Sequence, residues 1–359
     1  MLNDLVLSLW NREHNAENLL KLAESSAVDR ILLYAHQEYN YVNSGSGQID
    51  FISLAEYSKK NNIPFIITTC RCDNQPLPYN AAEYKNIEIS YWDSYWFIDT
   101  YLNQDNIRRD TKEEAPAQFK YPFVSMNNRS HLHRCAMMDL LAKYDLFDVG
   151  AVSWRDEYVA WQYVNDTDPM LVHAGGARAY PFKYWTPKRQ FLTERDRSDP
   201  RTCSPHSLPY EYTESFMQLV VETSVDTIIF SEKTCVPLFV KKPFLVLGAP
   251  GHHAALNDRG FVNYDEIFDY SFDSELDTVQ RANMIALNLR KISGKTPEEL
   301  RHLYDLLLPK LIYNYNQAVK YVLDTRNIPD IIKEGYSDPK NEYCSRMLLD
   351  FITIYDNKI

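Results

Sequence analysis

The sequence predicts an α/β protein built of two Rossmann-like domains facing a cleft, with a helical C-terminal tail. Three observations carry that expectation. Short apolar strand signals alternate with helical spacing over the first hundred residues, and the same alternation resumes after a polar break at 103–120. From Asp277 to Asp324 the pattern is almost wholly helical.

The elements follow in order. Leu5–Trp10 is a short apolar strand, and Ala16–Ser25 has helical spacing at Leu19, Leu20 and Leu22. Arg30–Tyr34, the helix Phe51–Asn61 and the strand Pro64–Thr69 complete a βαβαβ rhythm, which implies a parallel sheet. The stretch NQDNIRRDTKEEAPAQFK then reads as a surface connection, and domains are placed at 1–115, 116–325 and 326–359, the last a helical tail. Pro122–Met126 is a strand. The helix Ser130–Tyr144 has apolar residues at 132, 136, 137, 140, 141 and 144, with Ser130 as its N-cap. Phe147–Val152 is a strand or turn, and Trp154–Pro209 has no regular pattern. Phe216–Glu222 and Phe244–Leu247 are strands, with a short helix near His252–Asp258. Thr296-Pro297-Glu298-Glu299 opens a helix, after a break at 293–296, and Cys344–Ile354 is amphipathic.

Composition narrows the functional classes. The 359 residues are 45% hydrophobic and 24% charged, the balance of a soluble globular chain. A formal net charge of −11 has the wrong sign for sequence-independent nucleic-acid binding, although Arg189, Arg195, Arg197 and Arg201 cluster locally. Six scattered cysteines and an N-terminus without a basic leader are expected of a cytoplasmic protein with reduced thiols. No run reaches the roughly 20 apolar residues of a membrane span.

Two stretches carry chemistry. In FSEKTCVPLFVKKPFLVLGAPG, Phe230–Gly251, Pro237 forces a helix to start close by, with Thr234 or a neighbour as cap. The helix then runs to Lys241-Lys242, whose charges suit its C-terminal dipole, and Pro243 ends it. Glu232 and Lys233 then lie at a strand-to-helix turn, where free amides receive a phosphate; the competing reading is a charged pair on a solvated turn. The second stretch, FVSMNNRSHLHRCAMMDLL, likewise sets Asn128 and Arg134 beyond the carboxyl end of a strand.

These two stretches, SMNNRSHLHR…LLAKYDLFDVG and VVETSVDTIIFSEKTCVPLFVKKPFLVLGAPG, resemble blocks of the α1,3-fucosyltransferase-like family. The resemblance covers about 123–152 and 219–273. It implies a GT-B fold and an inverting, metal-independent glycosyltransferase with a nucleotide-diphosphate sugar as co-substrate and no other cofactor. On it, Glu232 holds the nucleotide ribose, Lys233 and Arg134 bind the diphosphate, and Glu222 lies near the donor sugar. Asn128, Ser231 and Thr234 belong to the same donor-binding set. Ser231 stands where the family has Thr, and Val221-Glu222-Thr223 where it has Phe-Glu-Asn, so the resemblance does not imply fucose.

The acceptor, a glycan or another hydroxyl compound, needs a general base, which the N-terminal domain should supply. Glu38 in YAHQEYNY is the first candidate, with Glu13 and Asp93 next; the aromatic residues of SYWDSYW around Asp93 read as a stacking platform for a sugar. Three further patterns are read as structural: Asp166-Thr167-Asp168 before Pro169, the His131, His133 and Cys135 trio, whose positions fan out over a helix, and Cys70 with Cys72. No metal site is expected. Two alternatives stand beside the main reading, a viral-type DNA-base glycosyltransferase and a non-catalytic sugar- or nucleotide-binding protein.

Overall fold

The computed structural model describes residues 4–8, 21, 28–35, 51–70, 72, 86–104, 107, 115–127, 131–154, 180–187, 192, 208–330 and 333. The chain divides into two units. The first takes the described residues up to Tyr95 and those from Asp324 on, and the second those from Trp96 to Leu323. The sequence expectation put the division at 115/116 and the tail in a part of its own. Within the first unit the Ser94 hydroxyl donates to the Asn327 carbonyl. The expected helix at 344–354 lies outside the described residues.

The first unit is a parallel sheet in the order β1 (Asp4–Ser8), β2 (Arg30–Ala35), β3 (Phe65–Thr69), β4 (Ile87–Tyr91). Helix α1 (Phe51–Asn61) is the helix expected there, and β3 is buried along its whole length. Cys70 and Cys72, which the sequence reads as structural, are buried after β3. The sequence left β4 and the helix α2 (Tyr95–Leu102) unassigned. That omission matters, because Trp92 and Tyr95 are buried and meet edge-on at 5.2 Å, and Trp96, the first residue of the second unit, is buried as well. The expected sugar-stacking platform is therefore corrected: those rings are spent on the core.

The second unit is a parallel sheet in the order β6 (Ala151–Trp154), β5 (Tyr121–Asn127), β7 (Ser215–Val221), β8 (Phe244–Leu247). Its strands read as near-continuous apolar runs because a sheet covered on both faces exposes neither; β7 and β8 are wholly buried. Helices α3 (Leu132–Lys143), α4 (Tyr210–Glu214), α5 (Glu232–Phe239), α6 (His252–Asp258), α7 (Thr278–Ser293) and α8 (Pro297–Leu323) surround it. From β5 the chain crosses through α3 to β6 on one side; from β7 it crosses through α5 to β8 on the other. Right-handed crossovers that run in opposite directions place their helices on opposite faces. Accordingly α3 packs with α7, and α5 packs with α8.

Two helix ends differ from expectation. His131, not Ser130, is the N-cap residue of α3, and its side chain makes no capping bond. Helix α5 stops at Phe239, and Lys241 takes a left-handed conformation with φ 54°. The Lys242 amide reaches back to the Pro237 carbonyl at 2.9 Å, the six-to-one bond of a Schellman end. Lys242 then turns inward, so it does not serve the helix dipole: its ammonium is buried against the Ser215 carbonyl.

Close packing fixes the turn before β6. A Cβ added at Gly150 would fall on the ring of Phe123, which has no exposed surface. Gly150→Ala is therefore expected to destabilise the protein by about 1–3 kcal/mol, the ordinary range for overpacking, read as a lower urea midpoint at unchanged slope.

Candidate functional site

The strands β5 and β7 are neighbours, and the chain leaves them in opposite directions. Between their carboxyl ends lies the topological switch point, where parallel α/β sheets open a crevice. The first turns of α3 and α5 border it. The sequence-predicted Arg134 and Lys233, 99 positions apart in the chain, come from these two turns.

The segment after β7 is organised by one buried carboxylate. Glu222 is 2% exposed and takes four hydrogen bonds. Its Oε1 accepts from the Ser231 amide at 3.3 Å and the Thr234 hydroxyl at 2.5 Å. Its Oε2 accepts from the Ser231 hydroxyl at 2.6 Å and the Thr223 amide at 3.3 Å. A carboxylate offers about four lone-pair sites, so these partners use its capacity. Glu222 braces the loop from Thr223 to Ser231 against the start of α5.

That bracing corrects the expected cap. Ser231, not Thr234, is the N-cap of α5, and its hydroxyl accepts from the Lys233 amide at 3.2 Å. Thr234 is fully buried, its hydroxyl committed to Glu222. Glu232 and Lys233 are thus the first two residues of the helix and lie after its cap. Pro237 is accommodated in the sixth helical position.

Glu232 and Lys233 are not a solvated pair. Their side chains retain only 17% and 23% exposure, and Lys233 Nζ lies 2.6 Å from Glu232 Oε1. The same ammonium donates to Thr223 Oγ1 at 3.3 Å and to Ser231 Oγ at 3.5 Å. From the other side of the crevice, the buried Arg134 donates through one terminal nitrogen. It reaches the Val221 carbonyl at 3.3 Å, the Glu222 carbonyl at 3.4 Å and Thr223 Oγ1 at 3.5 Å. Two cations from two helices therefore converge on one hydroxyl at the end of β7.

The neighbouring imidazoles complete the surroundings. His133 Nε2 donates to the Glu222 carbonyl at 2.7 Å, and its ring stacks on His131 at 5.6 Å with an 8° tilt. The two rings do not fan apart as helical positions would, because His131 is extended at the cap. Among the described residues no group of three or more His, Cys, Asp or Glu is arranged to hold a metal. His252, on α6, meets Thr234 Oγ1 through Nε2 at 3.3 Å. Burial holds its imidazole down at about 4, with the Arg259 charge acting in the same direction and Asp273 against it. Sequence reasoning set His133 aside in a trio read as structural and missed His252. Their signals were present, an Arg-adjacent His in the first turn of α3 and a His pair after Gly-Ala-Pro-Gly, but neither has a meaning until β5 and β7 are known to be neighbours.

Asp93 is partly exposed, in the turn between β4 and α2. Glu13, Glu38, Asn128, Asp166 and Asp168 lie outside the described residues. No helix among the described residues is long and apolar enough to cross a membrane. Compared with protein-family models, curated proteins and solved structures, the chain matches none.

Proposed function

We propose that the protein is a glycosyltransferase of GT-B type that takes a sugar from a nucleotide-diphosphate donor bound in the second unit. The observation that supports this reading is the convergence of Arg134 and Lys233 on Thr223 at the switch point. A diphosphate carries its charge on several oxygens, and positive groups held in advance stabilise that charge as it leaves. The fork of Arg134 and the point charge of Lys233 are complementary donors for such a group. Glu232, beside Lys233, has the acceptor oxygens to take a ribose diol once the ammonium turns toward phosphate. Glu222 acts behind the site as its brace.

In the reaction the acceptor hydroxyl oxygen forms a bond to the anomeric carbon. The bond from that carbon to the diphosphate oxygen breaks, and its electron pair leaves with the diphosphate. The hydroxyl proton passes to a carboxylate, for which Glu38, Glu13 and Asp93 are the candidates in that order. Attack opposite the leaving group inverts the anomeric carbon.

A thermal-shift panel of nucleoside diphosphates and their sugar conjugates tests the reading. A ligand at 100 times its Kd is expected to stabilise wild type by about 2.7 kcal/mol, and Lys233→Ala to lose most of that shift. If no diphosphate moves the transition, or if Lys233→Ala responds like wild type, the proposal is wrong. Turnover of the active donor is expected to survive EDTA.

A further inference from the structure

The polar chain at the switch point does not end at Glu222. Thr234 has one hydroxyl proton, and its 2.5 Å approach to Glu222 Oε1 commits it there. The contact with His252 Nε2 at 3.3 Å then requires the imidazole to be the donor. A neutral imidazole has one N–H, so Nδ1 is a bare acceptor; it is buried and has no hydrogen-bond partner. Nδ1 is pressed against Gly248, where an added Cβ would stand 2.7 Å away. The adjacent His253 has the opposite tautomer, because its Nε2 accepts from the Val246 amide at 3.1 Å. His253 covers a backbone amide of the sheet, whereas His252 points its proton into the site.

We infer that His252 is a positioning residue for Lys233, acting through Thr234, Glu222 and Ser231 to hold the ammonium where it meets Arg134 at Thr223. A threonine hydroxyl alone rotates among staggered positions and has several acceptors to choose from. With the His252 N–H on its lone pair, its own proton is directed to Glu222 Oε1. Glu222 Oε2 is then left to the Ser231 hydroxyl and the Thr223 amide, and these two residues carry two of the oxygens that Lys233 Nζ touches, beside Glu232 Oε1. The imidazole is itself clamped, edge-on to Phe230 with centroids 5.3 Å apart. The consequence for diphosphate binding rests on the function proposed above; the relay itself does not.

The test therefore starts without ligand. Acylation rates of individual lysines by an amine-reactive ester are read by mass spectrometry on the full chain. His252→Phe keeps the ring packing and removes the donor, while His252→Gln returns an N–H near the Nε2 position. Lys233 is expected to react about fivefold faster in His252→Phe, the equivalent of one ordinary hydrogen bond, and within about twofold of wild type in His252→Gln. Lys295 and Lys310 serve as controls and should not change. An unchanged Lys233 rate in His252→Phe overturns the inference, and so does an increase shared by all three lysines. Should His252→Phe fail to fold, Thr234→Val against Thr234→Ser decides, with only the valine variant expected to release Lys233. Pyrophosphate titration reports separately on the anion site, with binding about fivefold weaker in His252→Phe than in wild type. If wild type binds no pyrophosphate while Lys233 still responds to His252, the donor-site reading falls and the relay stands.

Discussion

Replacing Glu222 with alanine is expected to cost the protein roughly 3–5 kcal/mol of stability, the scale of removing one partner from a buried charged network. Two hydroxyls and two amides point at this one side chain, and at 2% exposure no bulk water reaches them to take its place. Each donor left without an acceptor bears its desolvation cost of about 1–3 kcal/mol, and partial relaxation of the loop brings the sum back into the stated range. Glu222→Gln should be milder without being neutral. An amide keeps one acceptor oxygen, but it turns a donor toward the Ser231 hydroxyl and the Thr223 amide, or toward Thr234 and the Ser231 amide. The measurement is urea denaturation, followed by hydrogen exchange of the β5 and β7 amides so that the second unit is read by itself. A loss below about 1 kcal/mol for the alanine variant would mean that the loop holds without its brace, since surface-like sites fall in that range. Both variants should also loosen Lys233, because Ser231 and Thr223 are among its hydrogen-bond partners.

What the sequence disclosed about this site followed from local rules, and what it concealed depended on topology. The strand–turn–helix units around Arg134 and Lys233 were legible, because apolar runs, a proline and helical spacing are local signals. Their meeting at Thr223 was not, since it requires β5 and β7 to be neighbours with β6 and β8 outermost. The cap of α5 shows the same limit on a smaller scale. Ser231 and Thr234 are both good capping residues, and only the position of Glu222, nine residues upstream of Ser231, assigns one hydroxyl to the helix amide and buries the other. The aromatic residues near Asp93 misled for a different reason. A Trp or Tyr has the same surface for a sugar as for a core, and the strand β4 that leads into Trp92 is a short, only partly buried run of five residues. Lys242 was equally opaque. A lysine pair before proline reads as a solvated helix end, yet the left-handed turn at Lys241 sends the second ammonium into the protein.

That buried ammonium should make the protein more stable as the solution becomes more basic. Lys242 lies at the amino ends of β7 and β8, the edge of the sheet opposite the candidate site, where it donates to the Ser215 carbonyl and rests 5.0 Å from the centre of the Tyr212 ring. Burial lowers its titration from 10.5 in the free side chain to about 7. Below pH 7 the lysine is charged in both folded and unfolded chains, so the folded state bears the whole cost of burying the charge. Between pH 7 and 10.5 the folded state has released its proton and the unfolded state has not, and stability rises with pH. Above 10.5 both are neutral and the cost is gone. Each pKa unit is worth about 1.4 kcal/mol, so the rise is about 3–5 kcal/mol before the carbonyl and ring contacts of the charged form are set against it. Lys242→Met fills a similar volume with no charge to bury. It should therefore be more stable than wild type at pH 6 by at least about 1 kcal/mol, and should lose most of that advantage by pH 10. Urea midpoints of both proteins across pH 6–10 give the answer. Parallel curves would mean that the ammonium remains charged and well held where it lies, and that its bonds to Ser215 and Tyr212 offset the loss of water in full.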